Sequence, residues 1–230
     1  MRDMRAQQAR RRLLGAAAVV FDLDDTLLRS REAKWNHHKA VASRFYGLKV
    51  TDDDLLQHWG RPFDELIASL YQSAASLDEM RAANLALEPE FPKTAMEGAL
   101  DLVDHLLQRG VHVGIVTSAN TAPAIADLTR TGFPVRKLLF VHGADVTGAH
   151  KPDPEVFAVA RGGLAGIGVE AAQTVYVGDA LMDMAAAIAA GLEFVGVTTG
   201  LVAGEQFMRE GVDWVDGLDE LVEVASYDHA

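Results

Sequence analysis

The sequence predicts a doubly wound α/β fold with a Rossmann-like parallel sheet, into which an α-helical domain is inserted. Two observations predict the sheet. Short apolar segments alternate with helical patterns along most of the chain, and these segments lack the regular polar positions of a half-exposed strand. Continuous apolar runs of this kind are typical of parallel strands that are covered on both faces. A third observation predicts the insertion, because residues 30–93 contain helical patterns and no strong strand signal.

Five segments are predicted to form the buried strands. Each is short and nearly all apolar, and helical patterns separate them, an order that favours right-handed crossovers in a doubly wound sheet. The predicted strands are Ala16–Phe21, Val111–Val116, Lys137–Val141, Thr174–Val177 and Phe194–Val197.

Four helices are predicted between these strands, and their ends carry recognisable signals. Three of them are followed by a glycine, which readily adopts the left-handed conformation that ends helices. Asp153 is the predicted N-cap of another, with Pro154 in its first position. The predicted helices are Ala95–Arg109, Ala122–Thr131, Pro154–Leu164 and Leu181–Ala190.

The insertion is predicted to be a second, smaller domain of four helices, after which Pro89 and Pro92 return the chain to the sheet. We therefore expect an α/β domain made of residues 15–29 and 94–230, and a helical domain at 30–93. Residues 1–14 are expected to be a basic, solvated N-terminal extension. The four helices are Trp35–Tyr46, Asp52–Trp59, Phe63–Ala74 and Leu77–Ala86.

Composition and charge exclude several classes of function. The 230 residues include no cysteine, which excludes disulfides, thiolate metal sites and a cysteine nucleophile. The net charge is −12, and the first 14 residues carry five arginines and one aspartate, or +4. The remaining 216 residues therefore carry −12 − 4 = −16. Nucleic-acid binding depends on neutralising phosphates, so no nucleic-acid partner is expected.

The apolar run Leu13–Phe21 does not predict a membrane protein. It is too short to span a bilayer. Its basic flank is weakly similar to a signal peptide, but the run ends in Asp22, in the segment that carries the predicted chemistry. We therefore expect no membrane partner and a cytoplasmic protein.

Polar side chains follow four of the five predicted strands. Because ligands of an open parallel sheet bind outside the carboxyl ends of its strands, these side chains are expected to lie together. Clustered carboxylates repel one another, and Mg²⁺ prefers such hard oxygen ligands. A lysine and a hydroxyl group would hold phosphate oxygens, one carboxylate can attack phosphorus, and another can transfer protons. The residues concerned are Asp22, Asp24, Asp25, Thr26, Thr117, Ser118, Lys151, Asp179 and Asp183.

Four motifs among these residues resemble the haloacid-dehalogenase-like phosphatases, in the same order and strand context. They are Asp22-x-Asp24-x-Thr26, Thr117 after Gly-Ile-Val, Lys151 in Lys-Pro-Asp-Pro-Glu-x-Phe, and Gly178-Asp179-x-x-x-Asp183. Each motif alone is weak, but four in order are specific. The resemblance covers about Val19 to Val224, and the helical insertion resembles the cap of the phosphoglycolate-phosphatase-like subgroup.

The resemblance implies a role for each carboxylate. Asp22 would be the nucleophile and a metal ligand. Asp24 would be the general acid and base, and its backbone carbonyl would also bind the metal. Asp179 would bind Mg²⁺ directly or through water, and Asp183 would support that site. Asp25 is left without a role.

The resemblance also implies how phosphate is held. Thr117 and Lys151 would bind it, with Ser118 as a competitor for the role of Thr117, while Thr26 would orient the loop. A plainer alternative for Thr117 is a strand-end hydroxyl that caps the next helix. Apart from the resemblance, Gly60-Arg61-Pro62 predicts a turn inside the insertion, where Arg61 either contacts a substrate carboxylate or a second phosphate or is a surface arginine.

Two other groups of residues are interpreted as structural. His37 and His38 are adjacent on a predicted helix, so their side chains diverge, and no third metal ligand is nearby. Trp35 and Trp59 are interpreted as core residues of the helical domain.

Several functions remain open at this stage. Dehalogenases and phosphonate hydrolases of the family lack an acidic residue where this chain has Asp24, so phosphate-ester hydrolysis is favoured. A hexose-phosphate mutase would retain Asp24 and stays as an alternative. A phospho-accepting signalling domain is disfavoured because the acidic pair follows the first strand and a domain is inserted after it. A catalytically inactive relative is also conceivable, although every required side chain is present. We expect a Mg²⁺-dependent phosphatase for a small phosphorylated metabolite, with phosphoglycolate as the first candidate, in a monomer or homodimer.

Overall fold

The computed structural model describes residues 2–59, 61 and 63–222, and the side chains of residues 2 and 3 are not described. Gly60 and Pro62, which flank Arg61 in the predicted turn, lie outside the described residues, as does the end of the predicted α/β domain beyond residue 222. The described chain forms two compact units, which are Met1–Leu28 with Ala95–Ala230 (the sheet unit) and Arg29–Thr94 (the helical unit).

Six parallel strands form the sheet of the sheet unit, in the order β3-β2-β1-β4-β5-β6. The predicted fold class, a doubly wound parallel sheet with a helical insertion, is therefore confirmed. The strands are β1 (Ala18–Phe21), β2 (His112–Val116), β3 (Phe140–His142), β4 (Thr174–Gly178), β5 (Glu193–Val197) and β6 (Asp213–Val215).

Helices cover the sheet and fill the helical unit. The described helices are α1 (Arg2–Gly15), α2 (Ser30–Tyr46), α3 (Asp52–His58), α4 (Phe63–Leu70), α5 (Leu77–Leu87), α6 (Ala99–Gln108), α7 (Thr121–Arg130), α8 (Ala144–Thr147), α9 (Ala158–Gly166), α10 (Leu181–Ala189), α11 (Gly204–Arg209) and α12 (Asp219–Val222). Among the described residues, no helix combines the length and the apolar composition that a membrane span requires.

The strands of the sheet alternate their side chains between two apolar layers. Val19 and Phe21 of β1 pack into one buried cluster, and Ala18 and Val20 pack into the other. Burial on both faces explains why the strands read as continuous apolar runs. A third buried cluster, which includes Val41, lies within the helical unit.

Among the strands, two differ most from the sequence prediction. Strand β6 was missed because only three residues form it, and Asp213 and Trp214 remain partly exposed. The third strand begins at Phe140 rather than Lys137, because Val135–Lys137 form a 3₁₀ turn.

The prediction of a solvated N-terminal extension is wrong. Ala6, Ala9 and Leu13 form one stripe of helix α1 and are buried in the core of the sheet unit. The basic face is also engaged, since Arg12 donates to Asp213 Oδ2 at 2.8 Å and to Glu193 Oε2 at 2.7 Å. The basic composition concealed this stripe, in which two of the three apolar residues are alanines.

Candidate active site

Asp22 stands at the carboxyl end of strand β1 and is 6% exposed. Its backbone N–H donates to the carbonyl of Val177 at 2.8 Å, which continues the pairing of β1 with β4. The chain then turns sharply, because Asp25 has a φ of +59° and its N–H donates to the carbonyl of Leu28 at 2.8 Å. This loop keeps Asp22 buried, while Asp24 is only partly buried.

Lys151 joins two of the predicted site carboxylates. Its Nζ lies 2.5 Å from Asp22 Oδ1 and 2.6 Å from Asp183 Oδ1, and all three side chains are almost inaccessible to solvent. The ammonium group also lies 5.2 Å from the centre of the Tyr176 ring. Burial of Lys151 lowers its pKa, but Asp22, Tyr176 and Asp183 together outweigh this effect, and the pKa is raised well above its usual value. Lys151 is therefore a fixed positive charge against Asp22.

A cluster of three carboxylates forms the second part of the site. One oxygen from each of Asp22, Asp179 and Asp183 lies within 4.8 Å of the others. Asp183 is held in place because its Oδ2 accepts from the N–H of Ala180 at 3.1 Å. Thr26 donates its hydroxyl hydrogen to Asp179 Oδ1 at 3.3 Å.

The electrostatics of this cluster suit a divalent cation. Burial raises the pKa of Asp22 to about 7; Lys151 opposes the rise and Asp183 adds to it. Burial also raises the pKa of Asp179 to about 8, and the charges of Asp22 and Asp183 contribute. Two buried carboxylates and one partly buried carboxylate share a single lysine and are short of positive charge. Hard oxygen ligands of this kind are those that Mg²⁺ binds. These residues therefore fit a divalent metal ion.

The two predicted hydroxyl residues lie in different environments. Thr117 is buried, and its Oγ1 accepts from the N–H of Ala119 at 3.1 Å, which is a local turn contact. Its own N–H donates to the carbonyl of His142 at 3.0 Å. Ser118 is exposed. The structure thus places Thr117 at the carboxyl end of β2, and its role in phosphate binding stays a prediction.

Three residues that shape the site were assigned no role in the sequence analysis. A side chain at Gly200 would place its Cβ 1.8 Å from Asp179 Oδ2, and one at Gly178 would place it 2.7 Å from Asp183 Oδ2. Both positions therefore require glycine beside a carboxylate. Tyr176, which is fully buried, donates its hydroxyl to the carbonyl of Val116 at 2.8 Å. The sequence offered two signals. Tyr176 stands in an otherwise apolar strand, and Gly200 follows two threonines.

The histidines of the helical unit belong to its buried structure. His38 Nδ1 lies 2.8 Å from the hydroxyl of Tyr71, which donates to Asn84 Oδ1 at 2.9 Å. Because the hydroxyl hydrogen goes to Asn84, His38 Nδ1 must carry the hydrogen that Tyr71 accepts. His37 Nε2 donates to the carbonyl of Asn84 at 2.9 Å. These contacts agree with a structural role for both histidines, but the expected divergence of their side chains is wrong, since the two ring centres lie 5.3 Å apart.

The tryptophans and Arg61 lie in the same unit. Trp35 packs against the core of the helical unit and meets Trp59 edge to face, with 5.8 Å between ring centres. Arg61 is exposed.

Comparison with known proteins identifies similar sequences over most of the chain. The sequence model of the haloacid dehalogenase-like hydrolase family matches residues 19–197. The validoxylamine A 7′-phosphate phosphatase of Streptomyces hygroscopicus subsp. limoneus is 36% identical over 79% of this chain and 85% of its own length. The phosphoglycolate phosphatase of Rhodospirillum rubrum is 36% identical over 80% of both chains.

Solved structures show the same fold. A putative β-phosphoglucomutase from Thermotoga maritima superposes with a TM-score of 0.78 over 90% of this chain and 97% of its own, at 21% identity. At that identity the similarity extends to the fold alone.

Proposed function

Since the chain belongs to the haloacid dehalogenase-like hydrolase family and is a phosphatase of that family, we propose that it hydrolyses a small phosphate monoester through a covalent intermediate on Asp22. The observation that carries this proposal is the meeting of Asp22, Asp179, Asp183 and Lys151 at one sheet edge. The three carboxylates supply a nucleophile and metal ligands, and the lysine supplies a cation for the phosphate.

Asp22 is the proposed nucleophile. One of its carboxylate oxygens attacks phosphorus, the bond between phosphorus and the ester oxygen breaks, and the phosphoryl group is carried on Asp22. Burial and the fixed contact with Lys151 restrict the orientation of this carboxylate before the substrate arrives. Orientation of a reacting group in this way contributes directly to the rate.

Asp24 is the proposed proton carrier. It gives a proton to the departing alcohol oxygen and then takes one from the water that attacks phosphorus. That second attack releases inorganic phosphate and restores the carboxylate of Asp22. Partial exposure of Asp24 is compatible with a group that exchanges protons with substrate and water.

Asp22, Asp179 and Asp183, with the backbone carbonyl of Asp24, are the proposed ligands of Mg²⁺. Such an ion would supply positive charge to the phosphate oxygens and relieve the repulsion among these carboxylates. Lys151 is proposed to bind a phosphate oxygen in addition to Asp22, and Thr117 to provide a further hydrogen bond. Hydrogen bonds from an ionised donor are stronger than neutral ones.

The helical unit is proposed to be a cap that excludes water during phosphoryl transfer. The relatives do not select one substrate, because the two that are 36% identical act, by name, on validoxylamine A 7′-phosphate and on phosphoglycolate. Phosphoglycolate is therefore the reference compound among small phosphorylated metabolites. A cytoplasmic location and a monomeric or dimeric state also remain proposals.

The test is phosphate release from phosphorylated metabolites, with and without magnesium, by the wild type and by Asp22→Asn. Loss of the nucleophile is expected to abolish phosphate release. It should raise the activation barrier by several kcal/mol, and each ~1.4 kcal/mol lowers the rate tenfold. Acid quenching should trap labelled phosphoryl on the wild type and none on the variant. The control is Asp101→Asn, an exposed aspartate of helix α6. Wild-type turnover by Asp22→Asn would refute the mechanism.

A further inference from the structure

Two neighbouring loops at the carboxyl edge of the sheet lead to the two proposed phosphate ligands. The β2 loop, residues 117–121, runs from the end of strand β2 into the first residue of helix α7 and contains Thr117. The β3 loop, residues 142–145, runs from the last residue of strand β3 into helix α8, and Lys151 follows six positions after its end. The N–H of Thr117 donates to the carbonyl of His142 at 3.0 Å. The two loops therefore start side by side.

Thr121 and Asp145 join the far ends of these loops. Asp145 Oδ1 accepts from the backbone N–H of Thr121 at 2.8 Å and from its hydroxyl group at 2.8 Å. The hydroxyl oxygen of Thr121 in turn accepts from the N–H of Gly143 at 2.9 Å. Between these contacts and the strands, the N–H of Ala144 donates to the carbonyl of Ala119 at 3.0 Å. We call the hydrogen bonds among Thr121, Gly143 and Asp145 the clasp.

The loops lie so close together at the clasp that only glycine fits at position 143. A Cβ at Gly143 would lie 2.3 Å from the backbone nitrogen of Thr121 and 2.5 Å from the carbonyl oxygen of Ala119, whereas real Cβ contacts essentially never fall below 3.0 Å. Gly143 is also buried. A buried N–H that loses its acceptor is costly, so removal of the Thr121 hydroxyl should force the loops to move.

Asp145 takes the place of a local cap for helix α7. Asn120 occupies the N-cap position, but among the described residues its side chain makes no capping hydrogen bond. The first N–H groups of a helix lack partners within the helix, and the helix dipole favours a carboxylate beside them. The hydrogen bonds from the backbone and hydroxyl of Thr121 lower the pKa of Asp145, so this cap is an ionised acceptor at neutral pH. The start of α7 is therefore fixed by the β3 loop.

The clasp connects the segments that carry the two proposed phosphate ligands. On the β2 loop, Thr117 Oγ1 accepts from the N–H of Ala119 at 3.1 Å, and Ala119 is bonded to the β3 loop through Ala144. On the other side, helix α8 and the residues after it join the clasp to Lys151. Groups that hold a substrate are effective when their spacing is set before the substrate arrives, and hydrogen-bonded supporting residues provide such spacing.

We propose that Thr121 and Asp145 are positioning residues for phosphoryl transfer, because their clasp sets the spacing between Thr117 and Lys151. The proposal rests on the phosphatase function proposed above, in which Thr117 and Lys151 bind the phosphate group. Thr121 and Asp145 act through the two loops and not by contact with the reacting atoms.

The test breaks the clasp from each side. Thr121→Val keeps the shape of the side chain and removes the hydroxyl group, and Asp145→Ala removes the acceptor from the other loop at an exposed position. Calorimetry in the presence of magnesium should show Kd for inorganic phosphate raised about tenfold in each variant, the effect of one lost charge-assisted contact. The double variant should bind phosphate no more weakly than either single variant, because both substitutions break the same contact.

Kinetics should show a change in KM rather than in kcat. Contacts to phosphate oxygens that are made equally before and during the reaction affect KM. We expect KM for phosphoglycolate, or for the best ester found, to rise about tenfold in Thr121→Val while kcat falls less than about threefold. Thr121→Ser, which keeps the hydroxyl group, should return KM to within about twofold of the wild type. A purely structural role would not give this pattern of loss and rescue.

The matched control is Thr129→Val. It is the same substitution on the same helix, but the hydroxyl group of Thr129 donates to the carbonyl of Ile125 at 2.7 Å, within α7. Amide hydrogen exchange reads the clasp directly, since the N–H of Gly143 should exchange faster in Thr121→Val and not in Thr129→Val. Equal phosphate Kd values for the two variants would overturn the proposal. If Thr121→Val does not unfold cooperatively in urea, Asp145→Ala replaces it in this comparison.

Phosphate binding separates this proposal from the proposed function. If the wild type binds phosphate more tightly than the clasp variants but releases phosphate from no ester, then only the phosphatase function is refuted. If the wild type hydrolyses an ester and both clasp variants bind phosphate as the wild type does, then only the positioning role is refuted. A wild type that binds no phosphate would contradict both.

Discussion

Replacement of Gly200 by alanine is expected to displace the carboxylate of Asp179. The new Cβ would lie 1.8 Å from Asp179 Oδ2 and 2.7 Å from its Cγ, whereas real Cβ contacts essentially never fall below 3.0 Å. The oxygen must therefore move by at least 3.0 − 1.8 = 1.2 Å. Metal–ligand distances in proteins tolerate only ~0.2 Å, and a misplacement of ~1 Å can lower catalysis by about 100-fold.

The assay has two readouts. We expect kcat/KM for phosphoglycolate, or for the best ester found, to fall about 100-fold, and we expect calorimetry to show magnesium binding weakened at least about tenfold. The control is Gly162→Ala in helix α9, where an added Cβ meets no atom within 4 Å. That change should leave catalysis intact and stabilise the fold by ~0.5–1 kcal/mol, because alanine is the better helix former.

Unfolding in urea shows whether Gly200→Ala is folded. If the variant unfolds cooperatively and yet binds magnesium and turns over substrate like the wild type, then Asp179 is not a metal ligand as proposed. Asp179→Asn provides an independent comparison, since it removes the charge without adding a Cβ at position 200. The two variants should lose metal affinity to a similar extent.

Three further outcomes are expected. Asp24→Asn should slow both formation and hydrolysis of the phosphoryl intermediate in rapid-quench measurements while calorimetry shows magnesium binding largely unchanged; strong loss of metal affinity would mean that its side chain is a ligand. Burial, with smaller effects of neighbouring cations, lowers the pKa of His38 from 6.5 to about 4. Between these two pH values the unfolded chain binds a proton at His38 that the folded chain does not bind. The free energy of unfolding should therefore fall as the pH drops from 6.5 towards 4. The expected loss of unfolding free energy is ~3 kcal/mol. In His38→Gln the unfolding free energy should depend less on pH. Equal pH dependence in the wild type and the variant would contradict a buried neutral imidazole at His38. Leu13→Ala should lower the unfolding free energy by ~2–5 kcal/mol. The control, Met4→Ala, should change it little, because Met4 lies on the exposed side of α1 and is 67% exposed. Equal urea midpoints for the two variants would mean that packing of α1 does not stabilise the fold.

The sheet was predictable where burial on both faces forces apolar sequence. β1 and β4 follow this rule, and their positions were predicted to within two residues. The rule fails at the edge of the sheet, where a strand needs less burial. β6 pairs on one side only and places Asp213 against Arg12. Arg12 lies some 200 residues from Asp213 in the sequence, so no local sequence pattern indicates strand β6.

The composition of the candidate site was predictable from topology, but its contacts were not. Asp22 follows β1 and Asp179 follows β4, and because these strands are parallel both residues lie at the same edge of the sheet. Both positions can be recognised in the sequence. The approach of Gly200 to Asp179 depends on how the loop after β5 folds back, and this is a property of packing. The sequence likewise gives no indication that Lys151 contacts Asp22 and Asp183 together.

These contacts explain why the site can be both buried and acidic. Carboxylates in a dry environment tend to take up protons, and the raised pKa of Asp22 and of Asp179 shows that tendency here. A neutral Asp22 would be a poor nucleophile, so the site needs positive charge near it. Lys151 supplies one charge permanently, and glycine at 178 and 200 leaves room for the carboxylates to converge. The remaining deficit is what a divalent cation would neutralise, so in the proposed mechanism binding of the metal would also keep Asp22 ionised for its attack.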